Sequence, residues 1–168
     1  MFKVAIGLLV ATLVVYGVSR IVAKRVGGRV ADRFLEHGPS SRSYTAESLA
    51  QWTGDNRGDA RRYAVPVLFP LDLLLMACLA GFLSIASVAL GGATSRFGGV
   101  LWLFALLPAA YLAADLVEDT VLASLLLHRI TPGLVKAAHV LTTLKIWTLG
   151  ASAAQLVLLG ILALVWRR

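Results

Sequence analysis

The chain has 168 residues, of which 58% are hydrophobic and only 15% charged. A soluble domain is normally about 45–50% apolar and about 25% charged, so the composition argues against a water-soluble globule and for a membrane protein. The formal net charge of +7 is explained by Lys and Arg gathered beside apolar blocks, as membrane topology requires, and nucleic acid is not expected as a partner.

Four apolar blocks lie at about 4–23, 65–90, 100–127 and 137–166. Each can supply the roughly 20 residues of helix that cross a hydrocarbon core. The first is followed by SRIVAKRVGGR, a basic flank without a small-residue cleavage site. It is therefore read as a retained helix and not as a signal peptide. The 24–64 segment that follows is too short and polar to build its own core.

Within that segment, GRVADRFLEH is expected to prolong the first helix or lie along the interface until Gly38 and Pro39 end it. His37 is expected to be exposed. Thr45 is a natural N-cap for a short helix, AESLAQW, closed by Thr53 and Gly54. Asp55 or Asp59 then caps the turn into the second block.

Pro66 suits the first turn of the second block, whereas Pro70 and, in the third block, Pro108 are expected to kink their helices. Cys78, the single cysteine, lies in the second block, so no internal disulfide is available. The connections GGATSRFGG and HRITPG are short, which predicts antiparallel neighbours in an up-down bundle. The small residues Ala77, Gly81, Gly150, Ala153 and Ala154 permit close helix contacts. Trp102, Trp147 and Trp166 fit an aromatic belt, with Trp147 somewhat deeper. The fold class predicted is an all-α membrane protein, a four-helix transmembrane bundle with a short helical cytoplasmic loop.

The basic residues orient it. Arg20, Lys24, Arg25, Arg29, Arg33, Arg42, Arg57, Arg61, Arg62, Arg129 and Lys136 fall on one side, against Lys3, Arg96, Arg167 and Arg168 on the other. The positive-inside rule puts the first group in the cytoplasm and both termini outside. Anionic lipid headgroups are the first partners this basic face should meet. A second copy of the chain, or another membrane protein, is a further candidate partner.

Against this apolar background stand Asp72, Asp115, Glu118, Asp119 and Lys145. Counted from the cytoplasmic block ends, Asp72, Asp119 and Lys145 each lie about eight residues deep, roughly 12 Å at 1.5 Å per residue. Asp115, Glu118 and Asp119, spaced i, i+3, i+4, share one helix face, and Tyr111 extends it. In the fourth block Lys145, Thr148, Ser152 and Gln155 form a polar stripe that Thr142 and His139 prolong. Four carboxylates facing lipid would cost on the order of 10 kcal/mol. They must face the bundle interior, pair with Lys145, or hold a proton or cation, and Arg61 and Arg62 are expected to help from the loop.

Three uses of this cluster stay open. It is interhelical glue, with Glu118 or Asp119 snorkelling towards the cytoplasm, or a site for a cation, proton or headgroup. Alternatively it is a hydrolytic or transferase centre of a lipid-modifying enzyme, although no nucleophile with an adjacent base accompanies the acids. His128 and His139, at the cytoplasmic ends of the third and fourth blocks, are read as interfacial residues and not as metal ligands. No cofactor is expected.

The stretch YTAESLAQWTGDNRGDARRY, then VPVLFPLDLLL and AADLVED, resembles a widespread type of small bacterial four-span membrane protein. In that type a Tyr-Thr start, a Gly-Arg-Tyr segment and an Asp-x-x-Glu-Asn motif recur. The resemblance covers about residues 44 to 145. Asp119 stands where the motif has Asn, and the Gly-to-Tyr segment is longer here. It implies the fold and no particular activity. The expectation from residues and resemblance together is a non-enzymatic membrane protein, with a proton- or cation-coupled carrier or an intramembrane lipid-modifying enzyme as alternatives.

Overall fold

A computed structural model describes residues 1–27, 44–93 and 98–165, and among them every element is helical. Four stretches are long and apolar enough to cross a membrane: Phe2–Val26, Arg57–Ala93, Gly99–Leu127 and Pro132–Val165. The expected GRVADRFLEH extension, its Gly38-Pro39 end, His37, the basic residues Arg29, Arg33, Arg42, Arg96, Arg167 and Arg168, and Trp166 lie outside the described residues.

Helix α1 spans Phe2–Val26 and buries only Ala5, Thr12 and Ala23. Most of its Val, Leu and Ile side chains are exposed, while Leu8, Val22 and Val26 pack inward, as suits a helix with one side on a bundle and the rest towards hydrocarbon. The Thr12 hydroxyl donates to the Leu8 carbonyl at 2.8 Å, so its polar group is satisfied within the helix.

Helix α2, Ala46–Asp55, starts at the Thr45 cap. Thr45 Oγ1 accepts from the Ser48 amide at 3.2 Å, and the Ser48 hydroxyl accepts from the Thr45 amide at 2.9 Å. The helix outruns the expected stop at Gly54 by one residue, to a C-cap at Asn56. Asp59 does not cap the next turn but lies within it, and the Asp55 side chain lies outside the described residues. Helix α3, Arg57–Arg62, takes Asn56 at its N-cap without a side-chain cap bond, and the Asn56 amide instead donates back to the Trp52 carbonyl at 3.1 Å.

The second span departs most from expectation. Residues Tyr63–Asp72 form an irregular helical segment broken at Val65 (φ −135°, ψ 113°) and Phe69 (φ −127°, ψ 117°). Each break immediately precedes a proline, whose ring crowds the residue before it out of the α region. Regular helix, α4, runs only from Leu73 to Ala93. Pro66 therefore does not open a helix, and Pro70 goes beyond kinking one. Asp72 closes the irregular stretch.

The third span begins as a tight helical segment, Gly98–Ala105, before α5, Leu106–Leu127. Pro108 falls in the first turn of α5, where a missing donor is tolerated, and is not the mid-helix kink expected. Its ring nitrogen cannot bond to the carbonyl four residues back, that of Phe104. Gln155 supplies a donor instead, its Nε2 lying 2.7 Å from that oxygen.

The fourth span, α6, runs Pro132–Val165, starting earlier than the expected 137. The start is legible in the sequence: Thr131 Oγ1 accepts from the Leu134 amide at 3.3 Å, and proline at the first helical position is pre-organised for a helix. HRITPG is thus partly cap and not only connection. Helix α4 packs on α1 and α6, and α5 packs on α6.

Of the small residues named above, Gly81 has the close contact, with Leu8 of α1 3.3 Å from where its Cβ would stand. Gly150 has no such neighbour within 4 Å, and Ala77, Ala153 and Ala154 are exposed. The tightest approach among the described glycines is at Gly91. A Cβ there would meet Phe104 Cε2 at 2.7 Å and Leu101 Cδ2 at 3.1 Å. Trp102 and Trp147 point outward, 63% and 74% exposed.

Candidate functional site

Helix α5 presents Asp115, Glu118 and Asp119 inward together, because the i, i+3, i+4 spacing stacks them on one side. All three are buried, at 2%, 3% and 1% exposure. Neither Glu118 nor Asp119 snorkels, and that version of the glue reading falls. Lys145 arrives from α6 and its Nζ lies 2.7 Å from Asp115 Oδ1, with a second, closer ion pair to Glu118 Oε2. Thr142, one turn before Lys145, donates from Oγ1 to Glu118 Oε1. Tyr111, buried one turn before Asp115, hydrogen-bonds the Asp115 carboxylate.

Asp72 comes from the irregular stretch of the second span. One carboxylate oxygen from each of Asp72, Asp115 and Asp119 lies within 4.8 Å of the others. Hard cations such as Ca²⁺ sit 2.3–2.6 Å from oxygen ligands, so oxygens up to about 5 Å apart can share one. Three protein oxygens are fewer than the six to eight that Ca²⁺ takes, which leaves room for water or a smaller occupant such as a proton.

The partners are unevenly distributed. Lys145 and Thr142 occupy Asp115 and Glu118, whereas Asp119 Oδ2 is buried without a hydrogen bond among the described residues. The ion pairs among those residues leave Asp119 out. A buried, unpartnered carboxylate oxygen is expensive unless it is neutralised by a proton or a cation.

The expected helpers divide. Thr142 and Tyr111 touch the acids. Arg61 and Arg62 are exposed and make no ion pair with the cluster. Ser152 is fully buried and donates to the Thr148 carbonyl at 2.7 Å. Thr148 likewise bonds back to the Leu144 carbonyl at 2.8 Å. Thr148 and Ser152 of the α6 polar stripe therefore satisfy themselves on their own backbone, whereas Thr142, Lys145 and Gln155 reach other elements.

Two features were missed. A cleft of about 180 Å³ between α1 and the irregular segment is lined by Tyr16, Ser19, Arg20, Tyr63 and Asp72, and Asp72 is the cluster residue that reaches it. Tyr16 and Ser19 carried no signal, since isolated polar residues in an apolar helix are common. Second, His139 is not a solvated interfacial residue. Its ring packs edge-on against Tyr44, centroids 4.6 Å apart and planes at 74°. Tyr44 is buried beside Leu49, Leu125, Val135 and Ala138. Burial first, and then the nearby Glu118 charge, push its hydroxyl up to about 12.

Comparison with protein-family models, with curated proteins and with solved structures finds no match to this chain.

Proposed function

We propose that the chain is a polytopic protein of the bacterial inner membrane, an antiparallel four-helix bundle with both termini outside and the 24–64 loop in the cytoplasm. In this reading it acts by holding a proton or small cation among Asp72, Asp115 and Asp119, and it makes or breaks no covalent bond. The resemblance to small bacterial four-span proteins is part of the same reading.

The observation that carries it is Asp119 Oδ2, buried and unpartnered within 4.8 Å reach of two further carboxylates. Four acids share a single ammonium, so the charge left over calls for an occupant. The Tyr16–Ser19–Arg20 cleft at Asp72 favours an occupant that can enter and leave, which is what a proton- or cation-coupled carrier needs.

The test is thermal stability of the purified chain in detergent, measured against pH and against Na⁺, K⁺, Mg²⁺ and Ca²⁺, for wild type and Asp119→Asn. Anything bound to the folded state alone raises stability by mass action. A cation occupant predicts an ion-specific rise that Asp119→Asn abolishes. A proton occupant predicts loss of stability as pH rises, with Asp119→Asn flattening that profile. Wild-type stability indifferent to every ion and to pH would leave the cluster as packing alone. For topology, Glu47→Cys should label from the cytoplasm and Lys3→Cys from outside in a Cys78→Ala background, and the reverse pattern would overturn the orientation.

A further inference from the structure

We propose a second site, independent of the acidic cluster, that binds the phosphate of an anionic phospholipid headgroup. It is a cavity of about 510 Å³ where α2 and α3 meet the end of α5, and Arg57, Arg61, His128 and Arg129 line it. Arg57 and Arg61 are one helical turn apart on α3 and so present the same face. Arg129 comes from the connection after α5, far away in the chain.

Among the described residues no carboxylate lines this cavity. The ion pairs among the described residues are both made by Lys145, so none of the three guanidiniums is matched by an acid there. Three like charges converging on one cavity repel one another, and an anion between them relieves that repulsion. Guanidinium also offers forked donors that fit phosphate oxygens in pairs, which an ammonium cannot do.

The apolar part of the wall selects the source of the phosphate. Leu126 and Leu127 end the third span at this cavity, and Ile130 follows in the connection. Leu127 is 42% exposed and continues the outer surface of the span. A headgroup seated on the arginines has its acyl chains beginning where the leucines begin, at the level where a spanning helix leaves the hydrocarbon. Free inorganic phosphate would use the arginines and gain nothing from that apolar edge. Basic pockets between spanning helices are a recurrent form of anionic lipid recognition.

The experiment uses delipidated full-length chain in detergent, titrated with phosphatidylglycerol, phosphatidylcholine and inorganic phosphate, with bound species counted by native mass spectrometry. Wild type should take up one phosphatidylglycerol in clear preference to phosphatidylcholine. Arg57→Gln with Arg129→Gln should weaken that binding at least about tenfold, since each basic residue near the surface contributes about a factor of five. Lys24→Gln with Arg25→Gln, an equal loss of charge on exposed α1 positions, should leave it unchanged. Should the glutamine pair not fold, Arg57→Lys with Arg129→Lys keeps the charge and removes the fork, and a several-fold loss is expected. Equal binding of the two lipids, equal loss in the α1 control, unchanged binding in the folded arginine variants, or displacement of the lipid by equimolar phosphate would overturn the proposal.

Discussion

Lys145 Nζ stands 2.7 Å from Asp115 Oδ1, and the two residues belong to different spans, α6 and α5. The same ammonium also engages Glu118, so one basic residue holds two acids of one helix face against its neighbour. Lys145→Met should cost about 3–5 kcal/mol, because removing one partner strands buried charge. Adding Asp115→Leu should recover only part of that loss, since Glu118 is still unmatched. The triple variant with Glu118→Gln should approach wild-type stability. Thermal unfolding in detergent checks the series, and full recovery already in the double variant would contradict the role assigned to Glu118.

Gln155 and Pro108 form a coupled pair although they do not need to touch. The proline withholds a backbone donor from the Phe104 carbonyl, and Gln155 donates to it at 2.7 Å. Gln155→Leu should therefore cost about 1 kcal/mol, more if the carbonyl is left without other solvation. In a Pro108→Ala background, where residue 108 regains its amide, the same substitution should cost clearly less. A double-mutant cycle measures this, and strict additivity would show that the proline and the glutamine are unrelated.

Gly91 and Gly150 should respond oppositely to the same methyl group. A Cβ on Gly91 lands 2.7 Å from Phe104 Cε2 and 2.9 Å from its Cδ2, whereas one on Gly150 meets nothing within 4 Å. Gly91→Ala should destabilise by about 1–3 kcal/mol, the usual range for overpacking. Phe104→Leu in the same chain should relieve part of it. Gly150→Ala should be neutral or slightly stabilising, through its better helix propensity. Melting temperatures of the three variants beside wild type decide the matter.

Tyr44 titrates at about 12 in the folded chain because it is buried and near Glu118, against about 10 for an unperturbed tyrosine. A raised folded-state value means that the neutral phenol stabilises the fold below pH 10, and that this contribution disappears as pH rises through 12. Tyr44→Phe should remove one late-titrating component from the tyrosinate absorbance curve and should flatten the fall in stability between pH 10 and 12. An absorbance curve whose late limb is unchanged in Tyr44→Phe would place Tyr44 in water.

The sequence by itself determined the four helices long and apolar enough to cross a membrane, because hydrocarbon thickness dictates a run of apolar residues whatever the neighbours are. It also determined that Asp115, Glu118 and Asp119 share a face, since that follows from helical geometry within one element, and it fixed the Thr45 cap for the same local reason. The Thr131-Pro132 start of α6 is equally local and legible, since a threonine cap followed by proline at the first helical position is a start signal in itself. What only the tertiary structure decided is everything that depends on the rotation of one span against another. That Lys145 takes Asp115 and Glu118 and leaves Asp119 Oδ2 unpartnered is a matter of ångströms between helices, and depth counting resolves no better than a turn. That Arg61 and Arg62 turn away from the acids, with Arg61 lining the cavity that Arg129 also lines, depends on how the α3 elbow folds back over the end of α5. Such contacts join residues far apart in the chain, and no periodicity within a single segment encodes them.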